Sequence, residues 1–107
     1  MDAISARDLK LMRKHAGEAA AMMAALSHEA RLRVLCDLVG VERMAGELVT
    51  RSGLSQSALS QHLARLREEG LVSTRREGQS IFYRIADPNA ARILGVLHEI
   101  YCKRQRR

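Results

Sequence analysis

Apolar residues recur at helical spacing along the first third of the chain. Within residues 6–26 an apolar position returns every three or four residues, which is the period of one face of an α-helix. This predicted face consists of Leu9, Met12, Ala16, Ala19, Met23 and Leu26. Ser27 is placed as the N-cap of a second helix, which begins at Glu29 and continues to about Val39, where Gly40 ends it. The pattern therefore predicts one long helix followed by a shorter one.

Two more helices are predicted in the middle of the chain, on either side of a turn at residues 52–54. The third helix covers residues 44–51. The fourth helix follows Ser55 as its N-cap, continues to Glu69 and is closed by Gly70. Its apolar face consists of Leu59, Leu63 and Leu66.

After Leu71 the apolar period shortens to the alternation that is typical of strands. Residues 72–76 and 81–85 predict two strands around a Gly-containing loop, and a last helix begins at Asp87-Pro88. The buried stripe of this last helix is predicted to contain Ala91, Leu94, Leu97, His98 and Tyr101. The fold class is therefore mainly α with a small β-hairpin wing, in the order α-α-α-α-β-β-α. A helix-turn-helix followed at once by a hairpin is a winged helix-turn-helix.

Length, composition and charge limit the classes of protein that fit. The length of 107 residues suits a single domain over residues 1–107. Hydrophobic residues make up 47% of the chain and aromatic residues only 3%, a composition that favours helices packed through Leu, Ala, Val and Met. The net charge of +6 indicates a polyanionic partner, either nucleic acid or an anionic membrane. The longest apolar stretch, residues 19–26, is far shorter than the roughly 20 residues of a membrane span, and residues 1–12 lack a secretory signal. We expect a cytoplasmic protein with no membrane partner.

The start of the predicted fourth helix is polar in a way that suits DNA recognition. It carries Ser, Gln and His where an ordinary surface helix carries Glu and Lys, and the first residues of a recognition helix meet base edges in the major groove. The base-reading candidates are Gln56, Ser57, Ser60, Gln61 and His62, although simple surface exposure explains His62 equally well. Phosphate contacts, and a steep dependence on salt, are expected from Arg65, Arg67, Arg75, Arg76 and Arg84. The wing loop adds Gln79 to this DNA-binding set. The predicted partner is double-stranded operator DNA.

The first and last helices carry more apolar surface than a small monomer buries. Residues 19–26 and 93–97 would expose a large patch, and such patches usually mark an interface. We expect a homodimer in which these two helices form the dimer layer, although part of each stripe belongs to the core of one chain. A symmetric dimer places two recognition helices about one helical turn apart on a palindrome-like site.

Several segments together resemble the ArsR/SmtB family. They are LSHEARLRVL at 26–35, GLSQSALSQHL at 53–63, LREEGLV at 66–72, REGQ at 76–79 and YRI at 83–85. The resemblance covers roughly residues 8–103. It implies a small dimeric bacterial winged-helix repressor that leaves its operator when an inducer binds.

The usual inducers of this family are metals, but the ligands of its two usual sites are missing from this chain. Where the thiolate branch has a Cys-x-Cys pair in the third helix, this chain has Met44 and Gly46. Of the Asp and His ligands of the last-helix branch, only Asp87 remains. The other three positions hold Asn89, Ile100 and Lys103. Because a soft or borderline metal needs about four ligands, we expect no metal and no cofactor at these places.

The two cysteines, Cys36 in the second helix and Cys102 at the end of the last, are too few for a secreted disulfide framework. In a reducing compartment such a pair is more often metal-binding or redox-active, although each thiol alone also fits a small buried hydrophobe. Their spacing and local sequence are similar to the thiol-based branch of the family, represented by SqrR and BigR and related to HlyU. That resemblance implies that reactive sulfur species, such as persulfide or polysulfide, or another oxidant bridge Cys36 and Cys102 and so release the operator.

The neighbours of each thiol suggest a division of roles. His98 lies one helical turn before Cys102, and Lys103 and Arg104 follow it, which favours its thiolate even though a helix C-terminus opposes this. Cys36 lies in an apolar helix face and is assigned as the resolving thiol.

Three other interpretations stay open at this point. His98 and Cys102 are spaced i, i+4 and supply two ligands of a metal or haem site that also includes Cys36, with His15 or His28 from a partner chain. A small thiol enzyme is a second interpretation, but the chain shows no set of nucleophile, base and orienting residue. A pure interaction module is the third, and the polar helix start and basic wing argue against it.

Overall fold

The computed structural model describes residues 2–102, which form six helices and a small antiparallel sheet. In chain order the elements are α1 (Ala6–Lys14), α2 (Ala16–Leu26), α3 (Glu29–Cys36), β1 (Arg43–Met44), α4 (Ala45–Ser52), α5 (Gln56–Glu68), β2 (Val72–Glu77), β3 (Ser80–Ile85) and α6 (Pro88–Tyr101). The predicted mainly helical fold with a β-hairpin wing is confirmed. None of the helices within residues 2–102 combines the length and the apolar character that a membrane span requires.

The prediction of one long first helix was wrong, because the chain divides it at His15. This residue leaves helical geometry, with φ −104° and ψ 10°, and Gly17 lowers the helix propensity just beyond it. The imidazole Nδ1 lies 3.3 Å from Glu18 Oε1, one turn into α2. Hydrogen bonds of the i→i−4 type still span the break, since the His15 N–H donates to Leu11 O and the Ala19 N–H to His15 O.

Both predicted ends of the next helix also need correction. Ser27 is the C-cap of α2, where its hydroxyl donates to Ala24 O at 2.8 Å, and His28 takes the N-cap position of α3. The helix α3 ends at Cys36 and not near Val39, because the following residues form a tighter turn with i→i−3 hydrogen bonds.

The helix-turn-helix formed by α4 and α5 has the predicted turn and cap. Gly53 closes α4 with φ 71°, a left-handed conformation that suits glycine. The hydroxyl of Ser55 accepts a hydrogen bond from the Ala58 N–H at 3.1 Å, which confirms Ser55 as the N-cap of α5. Gly70, with φ 75°, follows the end of α5.

The wing is a hairpin of β2 and β3 whose two-residue loop, Gly78-Gln79, has φ 62° at the glycine. Both strands are slightly longer than predicted. A third strand, β1, pairs with β3 in the order β1-β3-β2, and the sequence analysis missed it. It has only two residues, so no alternation of apolar and polar positions reveals it.

The core lies between the end of α2, α3, the helix-turn-helix, the sheet and the first half of α6. Its buried apolar residues are Ala25, Leu26, Val34, Leu35, Leu38, Leu48, Leu59, Leu63, Leu66, Leu71, Val72, Ala90 and Leu94. The predicted apolar face of α5 is therefore confirmed. This packing directs the opposite face of α5 to solvent.

The stripe that was predicted to be buried along the whole of α6 is buried only in part in the single chain, so this prediction was wrong. Ala90 and Leu94 are buried, but His98 and Tyr101 are exposed, because the second half of α6 extends beyond the core. Likewise no residue of α1 is buried. The radius of gyration is 16.0 Å, whereas a compact domain of about 100 residues has a value near 13 Å.

Candidate nucleic-acid interface and thiol pair

Four of the five base-reading candidates lie on exposed positions of α5. These residues are Gln56, Ser57, Ser60 and Gln61. Since Leu59, Leu63 and Leu66 anchor the other side of the helix in the core, these amide and hydroxyl groups are held at the surface in a fixed orientation. Such groups can donate to and accept from base edges.

The fifth candidate, His62, lies apart from the other four. It is half-buried, and its ring packs against that of His28 with 5.0 Å between the ring centroids. Burial lowers the pKa of His62, and the positive charges of His28 and Arg31 lower it further. The structure thus brings His62 towards α3 and not towards the exposed polar face.

The two arginines late in α5 differ in their surroundings. Arg65 Nε lies 3.4 Å from Glu69 Oε1, and Glu69 also lies 3.7 Å from the guanidinium of Arg31. Arg67 is exposed and makes no ion pair within residues 2–102. It lines a cleft between α5 and the sheet, together with Ser60, Leu63, Ala64, Glu68 and Tyr83.

The wing arginines also differ from one another. Arg75 Nε donates to Glu42 at 2.7 Å, Arg75 Nη1 donates to Glu77 at 2.7 Å, and the guanidinium carbon lies 4.5 Å from the centroid of the Phe82 ring. These hydrogen bonds, first to Glu77 and then to Glu42, raise the pKa of Arg75. Arg75 is therefore held by two carboxylates of its own chain.

Arg76, Arg84 and Gln79 are exposed and have no ion pair or side-chain hydrogen bond in the described part of the chain. Tyr83 is a residue of the cleft that the sequence analysis did not select. Strand alternation offered a signal, because it places Tyr83 on the same face of β3 as the apolar residue Ile85, next to the recognition helix.

The two cysteines lie at the ends of different helices. Cys36 is the last residue of α3 and Cys102 is the C-cap of α6, and both are free and exposed. Neither is thus a small buried hydrophobe. Although Cys36 as a whole is exposed, partial burial of its sulfur raises its pKa, and the negative charges of Asp37 and Cys102 add to this effect.

The two histidines suggested as ligands from a partner chain have other contacts within their own chain. His15 pairs with Glu18, and His28 packs on His62. Within residues 2–102, no three His, Cys, Asp or Glu side chains form a cluster that could hold a metal ion. Lys103 and Arg104, which the sequence analysis placed beside Cys102, lie outside the described residues.

The helix-turn-helix, its polar recognition helix and the adjoining wing define the class of winged helix-turn-helix DNA-binding proteins. The family profile described as "Bacterial regulatory protein, arsR family" matches residues 28–74. This chain belongs to the ArsR family of bacterial regulatory proteins.

Relatives of known function extend this similarity over most of the chain. The transcriptional activator HlyU of Vibrio cholerae is 44% identical over 96 residues, which cover 90% of this chain and 89% of that protein. The biofilm growth-associated repressor of Agrobacterium fabrum is 45% identical over 94 residues, which cover 88% of this chain and 80% of that protein.

Solved structures agree with these relatives. Reduced HlyU from Vibrio cholerae superposes with a TM-score of 0.81 at 44% identity, over 87% of this chain and 98% of that chain. The homodimeric winged helix-turn-helix DNA-binding domain of Mb0332 from Mycobacterium bovis gives a TM-score of 0.69 at 31% identity, over 94% of this chain and 89% of that chain. The protein is accordingly a DNA-binding transcriptional regulator and not an enzyme. This excludes the thiol-enzyme and interaction-module interpretations.

Proposed function

We propose that this regulator is a homodimeric repressor that leaves its operator when reactive sulfur species, or another oxidant, bridge Cys36 and Cys102. The observation that carries the proposal is that both thiols, at the ends of α3 and α6, are free and exposed. The negative charge of Cys102 also contributes to the raised pKa of Cys36. Among the similar structures, one of HlyU is named as the reduced form.

Exposed apolar surface supports the homodimer. The residues concerned are Leu9, Leu11 and Met12 of α1, Met23 of α2, and Val96, Ile100 and Tyr101 of α6. Patches of this kind mark interfaces, and the homodimeric domain of Mb0332 has the same fold. A dimer through α1 and α6 would present two recognition helices to the two halves of a palindrome-like operator. Each subunit would be a single domain that spans residues 1–107.

The proposed chemistry begins with the Cys102 thiolate, because partial burial of the sulfur raises the pKa of Cys36 and so disfavours the Cys36 thiolate. The thiolate attacks the outer sulfur of a persulfide RSSH, which forms a Cys102 persulfide and releases RSH after proton transfer. Attack by Cys36 on the inner sulfur of this persulfide then forms a disulfide and releases H₂S. If both thiols become persulfides, their condensation leaves a trisulfide bridge and also releases H₂S.

The bridge acts on DNA through the residue that follows Cys36. The Asp37 carbonyl accepts a hydrogen bond from Arg43 Nε at 2.6 Å, and its carboxylate lies 3.2 Å from Arg51 Nε of α4. Since α4 precedes the recognition helix, a displacement of Cys36 is transmitted to the helix-turn-helix. A change in the angle between the two DNA-binding lobes then alters the half-site spacing and lowers affinity.

The test combines mass spectrometry with DNA binding. The reduced protein selects a duplex from a randomised library, and its affinity for this duplex is measured before and after treatment with persulfide, peroxide and a small disulfide. Loss of both thiols in one chain under persulfide but not under peroxide or the small disulfide, together with loss of affinity, supports a reactive-sulfur sensor. The mass then falls by two hydrogen atoms for a disulfide bridge and rises by one sulfur atom less two hydrogen atoms for a trisulfide bridge. Loss of two hydrogen atoms under every oxidant, with the electrons passed to that oxidant, supports a general dithiol switch.

The single variants Cys36→Ser and Cys102→Ser provide the decisive controls. Both should bind the selected duplex when reduced and stay bound under every oxidant, and a thiol reductant should restore binding by the oxidised wild-type protein. Normal release by either variant, or unmodified thiols in the wild-type protein, contradicts the mechanism.

A further inference from the structure

The two neighbouring arginines of the wing point to opposite faces of the sheet. Directly opposed residues of an antiparallel pair share a face, and successive residues alternate. Arg76 is opposed to Ile81, whereas Arg75 is opposed to Phe82. Two residues along from Arg76, Thr74 is opposed to Tyr83, so Tyr83 shares the face of Arg76.

The face that carries Arg76 and Tyr83 is the one turned towards the recognition helix. Tyr83 packs against the core and lines the cleft of about 400 Å³ that Arg67 and Ser60 of α5 border from the other side. Arg76 continues this face towards the tip of the wing. Arg67 and Arg76 are both exposed and without an ion pair in residues 2–102.

The opposite face carries Arg75 and Arg84, and only Arg75 is held in an internal network. Arg75 bridges Glu77 on its own strand and Glu42 next to β1, and its guanidinium covers the ring of Phe82. A phosphate would have to displace two carboxylates, which are charge-assisted partners at 2.7 Å, in order to bind this side chain.

We propose that the cleft between α5 and the wing is a binding site for a DNA backbone phosphate, formed by Arg67, Arg76 and the Tyr83 hydroxyl. Arg75 is a positioning residue that fixes the wing against β1. Phosphate contacts commonly flank the helix that enters the major groove, and this cleft adjoins the exposed polar face of α5. Glu68 also lines the cleft, and its carboxylate opposes the bound phosphate. The inference rests on DNA binding and is independent of the thiol switch.

The experiment measures the dissociation constant for a non-specific duplex over a range of salt concentrations. Arg67→Gln and Arg76→Gln should each weaken binding and reduce the slope of log K against log salt by about 1, because each removes one phosphate contact. Tyr83→Phe should weaken binding at an unchanged slope, since it removes a neutral hydrogen bond. Glu68→Gln should strengthen binding.

Arg75→Gln is the matched variant on the other face. It should leave the salt slope unchanged, and any affinity that it loses through a displaced wing should be restored in part by Arg75→Lys, whose amine can still pair with a carboxylate. Thermal unfolding of every variant verifies that it is folded.

Two results would overturn the proposal. A slope that falls in Arg75→Gln as it does in Arg76→Gln would make Arg75 a phosphate contact. Unchanged salt slopes in both Arg67→Gln and Arg76→Gln would show that no DNA phosphate binds in the cleft. Failure of the wild-type protein to bind any duplex would contradict DNA binding itself, which is a separate and recognisable outcome.

Discussion

The imidazole of His62 in the recognition helix lies 5.0 Å from that of His28, measured between ring centroids, with the ring planes inclined by 54°. Arg31, whose side chain is only 12% exposed, adds a positive charge from α3, and the facing carboxylate of Glu69 lies 3.7 Å from its Nη1. A proton on His62 would therefore join a group that is already basic and partly buried. This explains the lowered pKa of His62, with burial as the largest cause.

This contact predicts that acid weakens the protein through His62. Because the pKa of His62 is lower in the folded than in the unfolded chain, the unfolded chain binds more protons between the two values. The contribution of neutral His62 to stability is fully present above about pH 6.5 and is lost as pH falls through the folded pKa. His62→Gln should reduce the loss of melting temperature between about pH 7.5 and pH 5.

His15→Gln is the control for this measurement, because His15 is exposed and paired with Glu18 outside the group. An equal pH dependence in the wild-type protein and in His62→Gln would show that His62 does not carry the effect.

A second prediction concerns the reactivity of Cys36. Burial raises its pKa, and Asp37 is the next contributor. In a Cys102→Ser background, where Cys36 is the remaining thiol, Asp37→Asn should shift the midpoint of iodoacetamide alkylation against pH downwards and speed alkylation at neutral pH. Mass spectrometry of the intact protein measures the rate. Glu29→Gln removes a carboxylate at the other end of α3 and should leave the midpoint in place; an identical midpoint in Asp37→Asn would exclude this electrostatic effect.

A third prediction concerns the start of the recognition helix. Ser55→Ala removes the hydroxyl that accepts from the Ala58 N–H and should lower the free energy of unfolding by about 1 kcal/mol. Ser57→Ala removes an exposed hydroxyl two residues further on and should change it much less. Urea unfolding at one protein concentration compares the two variants, since the stability of a dimer depends on concentration. Equal losses would argue against the cap.

A fourth prediction separates base recognition from phosphate binding. Gln61 is exposed on α5, and a side-chain amide can bond to adenine in two places. Gln61→Ala should weaken binding to the selected duplex by about 1–3 kcal/mol and leave the salt slope and non-specific binding unchanged. The amide of Asn89 lies at the start of α6, so Asn89→Ala serves as the control. A parallel loss on specific and non-specific DNA would assign Gln61 to the backbone.

Local features of this chain were predictable because they depend on residues a few positions apart. Leu59, Leu63 and Leu66 repeat with the helical period and are buried, and Ser55 caps α5 as expected. Helix ends were predicted wrongly where a side chain had an alternative hydrogen bond to a nearby backbone group. Ser27 bonds back to the carbonyl of Ala24 and closes one helix, when its hydroxyl was expected to begin the next.

The sequence by itself determined the class of fold, the exposed polar start of the recognition helix and the family. Only the tertiary structure decided which side chains meet. Glu42 and Arg75 come together across the sheet, and His28 reaches His62. Hydrophobic period and capping act within a turn or a strand, whereas these contacts depend on how separate elements pack around a shared core. Arg76, which has no ion pair in the described residues, could therefore not be distinguished from the paired Arg75 before the strands were in register.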